Sequence, residues 1–212
     1  MIKCIVSDMD GTLLNWKEEI SKGNKEAILE AQNKGLEFVI ATGRSYVEAK
    51  YLLDEAGLEC PVISINGAVI YDREGKIVDR KPMDMAEFKS VRKRLDEAGL
   101  QYEVYTNKGT FTLDKEFAIA SIMDILISAM PNIDPLYIAE KARERFEKGE
   151  IEEIEDFDLL YEMEGIEFYK VFVMSADLRK LGHVGGQIKQ DTSLAVSSSG
   201  RENLEITSKE AQ

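Results

Sequence analysis

The chain is poor in the residues that most often mark secreted, membrane-spanning or zinc-containing proteins. Its 212 residues include two cysteines and one histidine, and no apolar run approaches the ~18 residues that a membrane-spanning helix needs. The apolar stretch before Asp8 is too short for a signal peptide. We therefore expect a cytoplasmic protein in which Cys4 and Cys60 are buried, reduced thiols and His183 is a structural or surface residue.

Positive charge is also scarce. The chain has 27 Lys and Arg against 40 Asp and Glu, which gives a formal net charge of −13. This balance argues against nucleic acid or an anionic membrane as a partner. It still permits a small anionic substrate, provided that a metal ion or local dipoles offset the charge.

The first part of the chain alternates between strand and helix patterns. Near-continuous apolar strands of this kind predict a doubly wound, Rossmann-like parallel sheet covered on both faces. Ser45 and Glu48 stand at the spacing of a capping box, and Gly57 supplies a helix stop. A hairpin that turns near Glu74-Gly75 follows. The predicted strands are 2–7, 36–41 and 62–65, and the predicted helices are 21–34 and 45–56.

The pattern changes near Met83, where amphipathic helices begin to alternate with hairpin-like strands. We interpret residues 83–189 as an inserted α+β cap domain, and residues 1–82 with 190–212 as the core domain. The predicted cap helices are 85–98, 115–129, 136–148 and one from Asp177, and the cap strands are 101–105, 110–113 and 168–174. A further strand is predicted at 193–197, in the part of the chain assigned to the core domain.

All three N-terminal strands are followed by polar residues and a glycine: Asp8-Met9-Asp10-Gly11-Thr12, then Thr42-Gly43-Arg44, then Asn66-Gly67. The carboxyl ends of adjacent parallel strands line one crevice, which is the usual ligand site of such sheets. Taken singly, the second and third groups are no more than turn and cap signals. Their convergence with the aspartate pair predicts a functional site.

The residue types favour phosphoryl chemistry. A carboxylate is ionised at neutral pH and is a nucleophile without a general base. Its approach to a phosphate needs a divalent cation, and oxygen ligands without His or Cys favour Mg²⁺. A second carboxylate two positions later can act as a general acid and then as a general base. Thr42, Gly43 and the start of the helix near Ser45 would then form an anion site.

These segments also carry a family resemblance. D-M-D-G-T-L-L resembles the first motif of the haloacid dehalogenase superfamily, and V-I-A-T-G-R and I-S-I-N-G-A are similar to the next segments of its Cof-type sugar-phosphatase branch. The resemblance implies that Asp8 is the nucleophile and a metal ligand. It implies that Asp10 is the acid/base and holds the metal through its backbone carbonyl. It places Thr42 on the phosphate, with Arg44 and Asn66 on the substrate side.

One departure from the family pattern bears on activity. Such enzymes continue with a lysine that neutralises the aspartate and phosphate, and then with a strand that ends in further metal-binding carboxylates. Lys209 falls too early for that lysine, which is expected just past Gln212. The resemblance therefore predicts a core that is incomplete at its C-terminus, with an open sheet edge beside the first strand.

The sequence thus predicts a Mg²⁺-dependent phosphatase of small, sugar phosphate-like metabolites that works through an aspartyl-phosphate intermediate. One alternative is a truncated, catalytically incompetent fragment, or a phosphate-binding or interaction protein on the same scaffold. A phosphomutase is a second alternative, because it would use the same aspartate pair. The open edge predicts a homodimer or a complementing C-terminal fragment as partner.

Overall fold

A computed structural model describes residues 2–120, 123, 134–191 and 193–211. The chain divides into two compact units: Met1–Lys81 with Glu210–Gln212, and Pro82–Lys209. Among the described residues, no helix is both long and apolar enough to cross a membrane.

The first unit contains the predicted alternation of strands and helices. Its elements are β1 (Cys4–Ser7), α1 (Lys22–Asn33), β2 (Glu37–Ala41), α2 (Tyr46–Ala56), β3 (Val62–Ser64), β4 (Val69–Tyr71) and β5 (Ile77–Arg80). The five strands form one sheet in the order β1-β2-β3-β4-β5. β1, β2 and β3 are parallel, and β4 and β5 continue as the predicted antiparallel hairpin.

The ends of α2 confirm the sequence signals. The Ser45 side chain accepts a hydrogen bond from the Glu48 amide, and the Glu48 carboxylate accepts one from the Ser45 amide, which completes the capping box. Gly57 ends the helix in the left-handed conformation at φ 63°. These two caps fix where the chain enters and leaves α2, directly after the end of β2.

The core of the first unit lies between the two helices and one face of the sheet. Side chains of α1 and α2 form one buried cluster with alternate residues of β2 and with the first residue of β3: Ile28, Ala49, Leu52, Leu53, Phe38, Ile40 and Val62. Val6 alternates to the opposite face of β1 and is 57% exposed. At β1, the helical cover predicted for both faces is therefore seen on one face only.

The second unit is built on a six-stranded sheet. Its elements are α3 (Met85–Glu97), β6 (Gln101–Thr106), β7 (Gly109–Thr112), α4 (Pro135–Glu147), β8 (Ile151–Glu153), α5 (Asp158–Tyr161), β9 (Phe168–Met174), α6 (Leu178–Asp191), β10 (Leu194–Ser197) and β11 (Asn203–Ser208). The strand order is β10-β11-β9-β6-β7-β8. Residues 115–120 are helical, and most of the remainder of the helix predicted for 115–129 lies outside the described residues.

The sheet of the second unit corrects one predicted domain boundary. Residues 190–212 were predicted to belong with the core domain, but β11 pairs antiparallel with β9 and β10 pairs with β11. Ile206 also joins the buried cluster that contains Val171 and Val173 of β9. Residues up to Lys209 therefore belong to the second unit. The predicted boundary followed the position of β11 near the end of the sequence, whereas its pairing with β9 decides which sheet it joins.

The other face of this sheet carries buried polar residues. Lys170 and Glu205 form a buried ion pair, with Nζ and Oε2 3.3 Å apart, and the Lys170 ammonium also lies 4.4 Å from the centroid of the Tyr105 ring. Thr207, the register partner of Lys170, is fully buried. Among the described residues, its hydroxyl has no hydrogen-bond partner. Buried polar groups without partners are rare in folded proteins.

The two crossings of the chain between the units start from neighbouring points in the first unit. The chain leaves that unit after Lys81 and returns at Glu210. The Lys81 ammonium lies 4.0 Å from the Glu210 carboxylate. The second unit is therefore an insertion whose two attachment points lie side by side.

Candidate active site

The aspartate pair lies on a single tight turn directly after β1. Residues Met9–Leu13 form this turn, and the Leu14 amide donates to the Met9 carbonyl at 2.9 Å. Gly11 has a φ of 71°, a left-handed conformation in which a residue without a Cβ is favoured. Met9 is fully buried, whereas Asp8 and Asp10 on either side of it are exposed. The buried methionine anchors the turn and leaves both carboxylates accessible.

Asp8 is oriented by its immediate neighbours. The Thr12 hydroxyl donates to Asp8 Oδ2 at 3.3 Å, and the Ser7 hydroxyl donates to the Asp8 carbonyl at 2.9 Å. Ser7 pairs with Ile40 in the parallel register of β1 and β2. Asp8 and Thr42 therefore follow neighbouring strands at the same edge of the sheet, as the sequence predicted.

The loops after β2 and β3 are joined by hydrogen bonds. Thr42 is buried, and its hydroxyl accepts from the Arg44 amide at 3.2 Å. Its carbonyl accepts from the Asn66 amide, also at 3.2 Å. The Arg44 carbonyl in turn accepts from the Ile65 amide at 3.0 Å. The structure thus brings the second and third polar strand ends into one connected group.

The loop after β3 has an unusual backbone. Ile65, Asn66 and Gly67 have φ values of 49°, 56° and 90°, so three consecutive residues are left-handed. Such a conformation costs free energy for residues other than glycine, and it clusters at functional sites. The neighbouring hydrogen bonds to Thr42 and Arg44 hold this loop against the end of β2.

Arg44 connects this group to the aspartate pair. Its Nε lies 3.1 Å and 3.0 Å from the two Asp10 oxygens, and its Nη2 lies 2.7 Å from Asp10 Oδ1. The same Nη2 lies 2.7 Å from Glu18 Oε1. Burial by itself lowers the pKa of Arg44, but the hydrogen bond and charge of Asp10, followed by the charges of Glu18 and Glu48, outweigh it and raise the pKa. Arg44 therefore stays cationic beside Asp10.

Gly43 and Gly67 lie in the loops after β2 and β3, and Glu18 contacts Arg44 without having been predicted to do so. Gly43 is exposed between Thr42 and Arg44, and Gly67 occupies the last left-handed position of the third loop. The phosphate roles predicted for Thr42 and Gly43, and the place in the site predicted for Gly67, remain predictions. Glu18 was not predicted as a site residue, because its contact with Arg44 depends on a left-handed φ of 59°, which the sequence does not signal for a glutamate.

The side chains at the turn suit a hard cation. Within the described residues, no group of three or more His, Cys, Asp or Glu side chains could hold a metal ion. The carboxylate of Asp8 and the backbone carbonyl of Asp10 are oxygen donors, the type that Mg²⁺ prefers. This ion is often bound by one or two carboxylates, with water and substrate phosphate as its other ligands. Because the Asp10 carboxylate is engaged by Arg44, its carbonyl is the donor that suits this role.

Comparison with known sequences matches nearly the whole chain to one family. The family model of the haloacid dehalogenase-like hydrolases matches residues 5–212. The Bacillus subtilis 5-amino-6-(5-phospho-D-ribitylamino)uracil phosphatase YwtE is 34% identical over 206 residues, which are 97% of this chain and 71% of that protein. Phosphatase YwpJ of the same organism is 30% identical over 212 residues, covering 99% of this chain and 74% of the relative.

Solved structures give the same result. A haloacid dehalogenase-like hydrolase from B. subtilis superimposes with a TM-score of 0.90 at 30% identity, covering 100% of this chain and 75% of that one. A second such hydrolase, from Bacteroides thetaiotaomicron, has a TM-score of 0.71 at 23% identity over 98% of this chain and 71% of its own, and it supports the fold alone.

The family match and the phosphatase relatives identify this α/β protein, with an aspartate pair on the turn after its first strand, as a hydrolase. More particularly, the chain belongs to the haloacid dehalogenase-like hydrolase family, in its Cof-type branch.

Proposed function

We propose that the protein is a Mg²⁺-dependent phosphatase of small phosphorylated metabolites of the sugar phosphate kind. The observation that carries this proposal is the pair of exposed carboxylates, Asp8 and Asp10, at the edge of the sheet that also presents Thr42. The names of the relatives support the reaction class, and one of them is a phosphatase of a phosphoribityl compound. Its substrate supports a phosphorylated polyol or sugar as the substrate class here.

The proposed reaction has two displacements at phosphorus. An Asp8 oxygen forms a bond to phosphorus while the bond to the leaving oxygen breaks, and Asp10 gives that oxygen a proton. Water then loses a proton to Asp10 and attacks phosphorus, which releases inorganic phosphate and restores the Asp8 carboxylate. Thr42 binds the phosphoryl oxygens. The Asp8 carboxylate and the Asp10 carbonyl would hold a Mg²⁺ ion, whose positive charge would let the two anions approach each other.

The test is hydrolysis of p-nitrophenyl phosphate by the whole chain, with and without Mg²⁺ and with Asp8→Asn. We expect turnover that needs Mg²⁺ and is abolished by Asp8→Asn. Asp54→Asn is the matched control, because Asp54 lies on α2 and forms an exposed ion pair with Lys50. Activity that survives in Asp8→Asn would exclude Asp8 as the nucleophile, and full activity in the presence of a chelator would exclude the metal.

We also propose a partner at β1. Among the described residues, β1 pairs with β2 on one side only, and Val6 is exposed on its uncovered face. A second copy of the chain, or a complementing C-terminal fragment that adds a strand, would cover this edge. Val6→Lys is expected to shift the chain to monomer in sedimentation experiments, and an unchanged monomer in the parent chain would exclude the homodimer.

We infer a cytoplasmic setting without a nucleic-acid or membrane partner. The net charge of −13 supports the second part of this inference, and the two free thiols support the first.

A further inference from the structure

The segment between Leu14 and Ile20 is a short, well-braced hairpin beside the aspartate turn. Leu14 and Ile20 form an antiparallel bridge. Inside it, the Asn15 side chain accepts from the amides of Lys17 and Glu19 at 2.8 Å and 3.1 Å. The hydrogen bonds show an ordered turn organised around Asn15.

This turn holds Glu18 in a strained conformation with a defined direction. Glu18 has a φ of 59°, and a left-handed backbone costs about 1–2 kcal/mol for a residue other than glycine. Its amide donates to the Asn15 carbonyl at 3.0 Å. The carboxylate is partly buried and reaches Arg44, whereas the adjacent Glu19 is exposed. The strained backbone of Glu18 thus coincides with one specific side-chain contact, the ion pair with Arg44.

The contact gives Arg44 two anionic partners on different segments. Nη2 lies 2.7 Å from Asp10 and 2.7 Å from Glu18, and a guanidinium Nη carries two hydrogens, one for each acceptor. Both Asp10 oxygens are engaged by Arg44. An acid/base carboxylate must free at least one oxygen to exchange a proton with a leaving group or with water. Arg44 therefore needs a second partner while Asp10 works.

We propose that Glu18 is a positioning residue that keeps Arg44 docked when Asp10 releases it. The inference rests on the proposed function of Asp10 as the acid/base. Without Glu18, release of Asp10 would leave a largely buried guanidinium without this carboxylate partner, and such a state is costly. Glu48, the other carboxylate that acts on Arg44, is already bonded to Ser45. Glu18 thus lowers the cost of freeing Asp10.

The proposal predicts the sign of a kinetic effect. A carboxylate that merely adds negative charge near the site would repel a phosphate, so that its removal would lower KM. A positioning residue that acts through Arg44 and Asp10 contributes to the chemical step, so that its removal lowers kcat and leaves KM nearly unchanged. The two explanations therefore differ in which constant moves and in which direction.

The first experiment does not need activity. Side-chain NMR of the Arg44 guanidinium is recorded in Asp10→Ala and in Asp10→Ala with Glu18→Gln. We expect restricted rotation about Cζ–Nη2 in the first variant and free rotation in the second. Free rotation already in Asp10→Ala would overturn the proposal. If the whole chain shows no phosphatase turnover, the proposed function fails, but this measurement still decides whether Glu18 holds Arg44 by itself.

The second experiment is a kinetic comparison with a matched control. Glu18→Gln is expected to lower kcat about tenfold with KM within about twofold, which corresponds to ~1.4 kcal/mol in the barrier. Glu19→Gln makes the same charge change one residue away and is expected to match the parent. Glu18→Asn tolerates the left-handed backbone but is too short to reach Arg44, so it should lose kcat without losing thermal stability. A lower KM with unchanged kcat in Glu18→Gln would refute the role.

Discussion

Gly67 lies against the backbone of Ala211. A Cβ at position 67 would lie 2.0 Å from the Ala211 carbonyl oxygen, and the φ of Gly67 is 90°. Both residues belong to the first unit. The loop after β3 is therefore packed directly on the segment by which the chain returns from the second unit, and this contact leaves no room for a side chain.

Gly67→Ala is accordingly expected to destabilise the protein by about 2–4 kcal/mol, from backbone strain together with overpacking. Gly35→Ala is the control, because Gly35 has a φ of 79° but no atom within 4 Å of its added Cβ. That variant should show the strain alone, about 1–2 kcal/mol. Urea unfolding of the two variants measures the difference, and equal losses would show that the Ala211 contact does not matter.

Thr207→Val should be neutral or stabilising. The hydroxyl of Thr207 is fully buried and has no hydrogen-bond partner among the described residues, and replacing an unsatisfied hydroxyl by a methyl group removes a desolvation penalty. Thr106→Val is the matched contrast, because the Thr106 hydroxyl donates to the Gly109 carbonyl at 2.8 Å and accepts from the Lys108 amide at 2.9 Å. We expect that variant to lose about 1–2 kcal/mol. A clear loss of unfolding free energy in Thr207→Val would show that its hydroxyl has a partner in solution.

Lys170→Met should destabilise the protein, and a second substitution at Glu205 should restore part of the stability. The substitution leaves the Glu205 carboxylate buried without the ammonium 3.3 Å away, and breaking a buried ion pair on one side costs about 3–5 kcal/mol. Adding Glu205→Gln removes the remaining buried charge and should therefore recover part of the lost stability. Additive losses in the double-mutant cycle would contradict a direct coupling between the two side chains.

The two thiols should react differently. Burial raises the pKa of Cys60 above its ordinary value of 9.0 to about 11, whereas Cys4 is exposed, contrary to the prediction that both are buried. Iodoacetamide at pH 8 should therefore label Cys4 first.

Since the Cys60 pKa is higher in the folded state, its contribution to stability is complete below pH 9 and is lost as pH rises toward 11.

The Cys60→Ala variant isolates this effect. Its free energy of unfolding should fall less between pH 8 and pH 10.5 than that of the parent chain. Identical slopes in the two proteins would mean that the Cys60 thiol does not titrate differently in the folded and unfolded states.

The local signals in the sequence predicted the local structure well. The capping box of Ser45 and Glu48, the left-handed stop at Gly57 and the strand from Phe168 to Met174 are all present where the residues indicated. Each depends on residues close together in sequence, whose preferences survive in any compatible fold. The alignment of Asp8 with Thr42 also followed, because parallel strands place their carboxyl ends at one edge.

The features that the sequence did not predict depend on contacts between distant segments. The pairing of β11 with β9 moves residues 194–208 into the second unit, and nothing local to β11 distinguishes one sheet from the other. The contact of Arg44 with both Asp10 and Glu18 depends on side-chain direction and on one strained backbone angle. Periodicity and motif spacing carry neither kind of information.

The neighbouring positions of Lys81 and Glu210 make the second unit a replaceable module. Since the side chains at its two attachment points form an ion pair, the backbones at residues 81 and 210 lie within the combined reach of the two side chains, and a linker of a few glycines is long enough to join them. A different insertion domain needs only closely spaced termini to be grafted there. The site on the first unit and the domain inserted into it can thus diverge in sequence separately, which lets one catalytic platform acquire new selectivity by exchange of a whole domain.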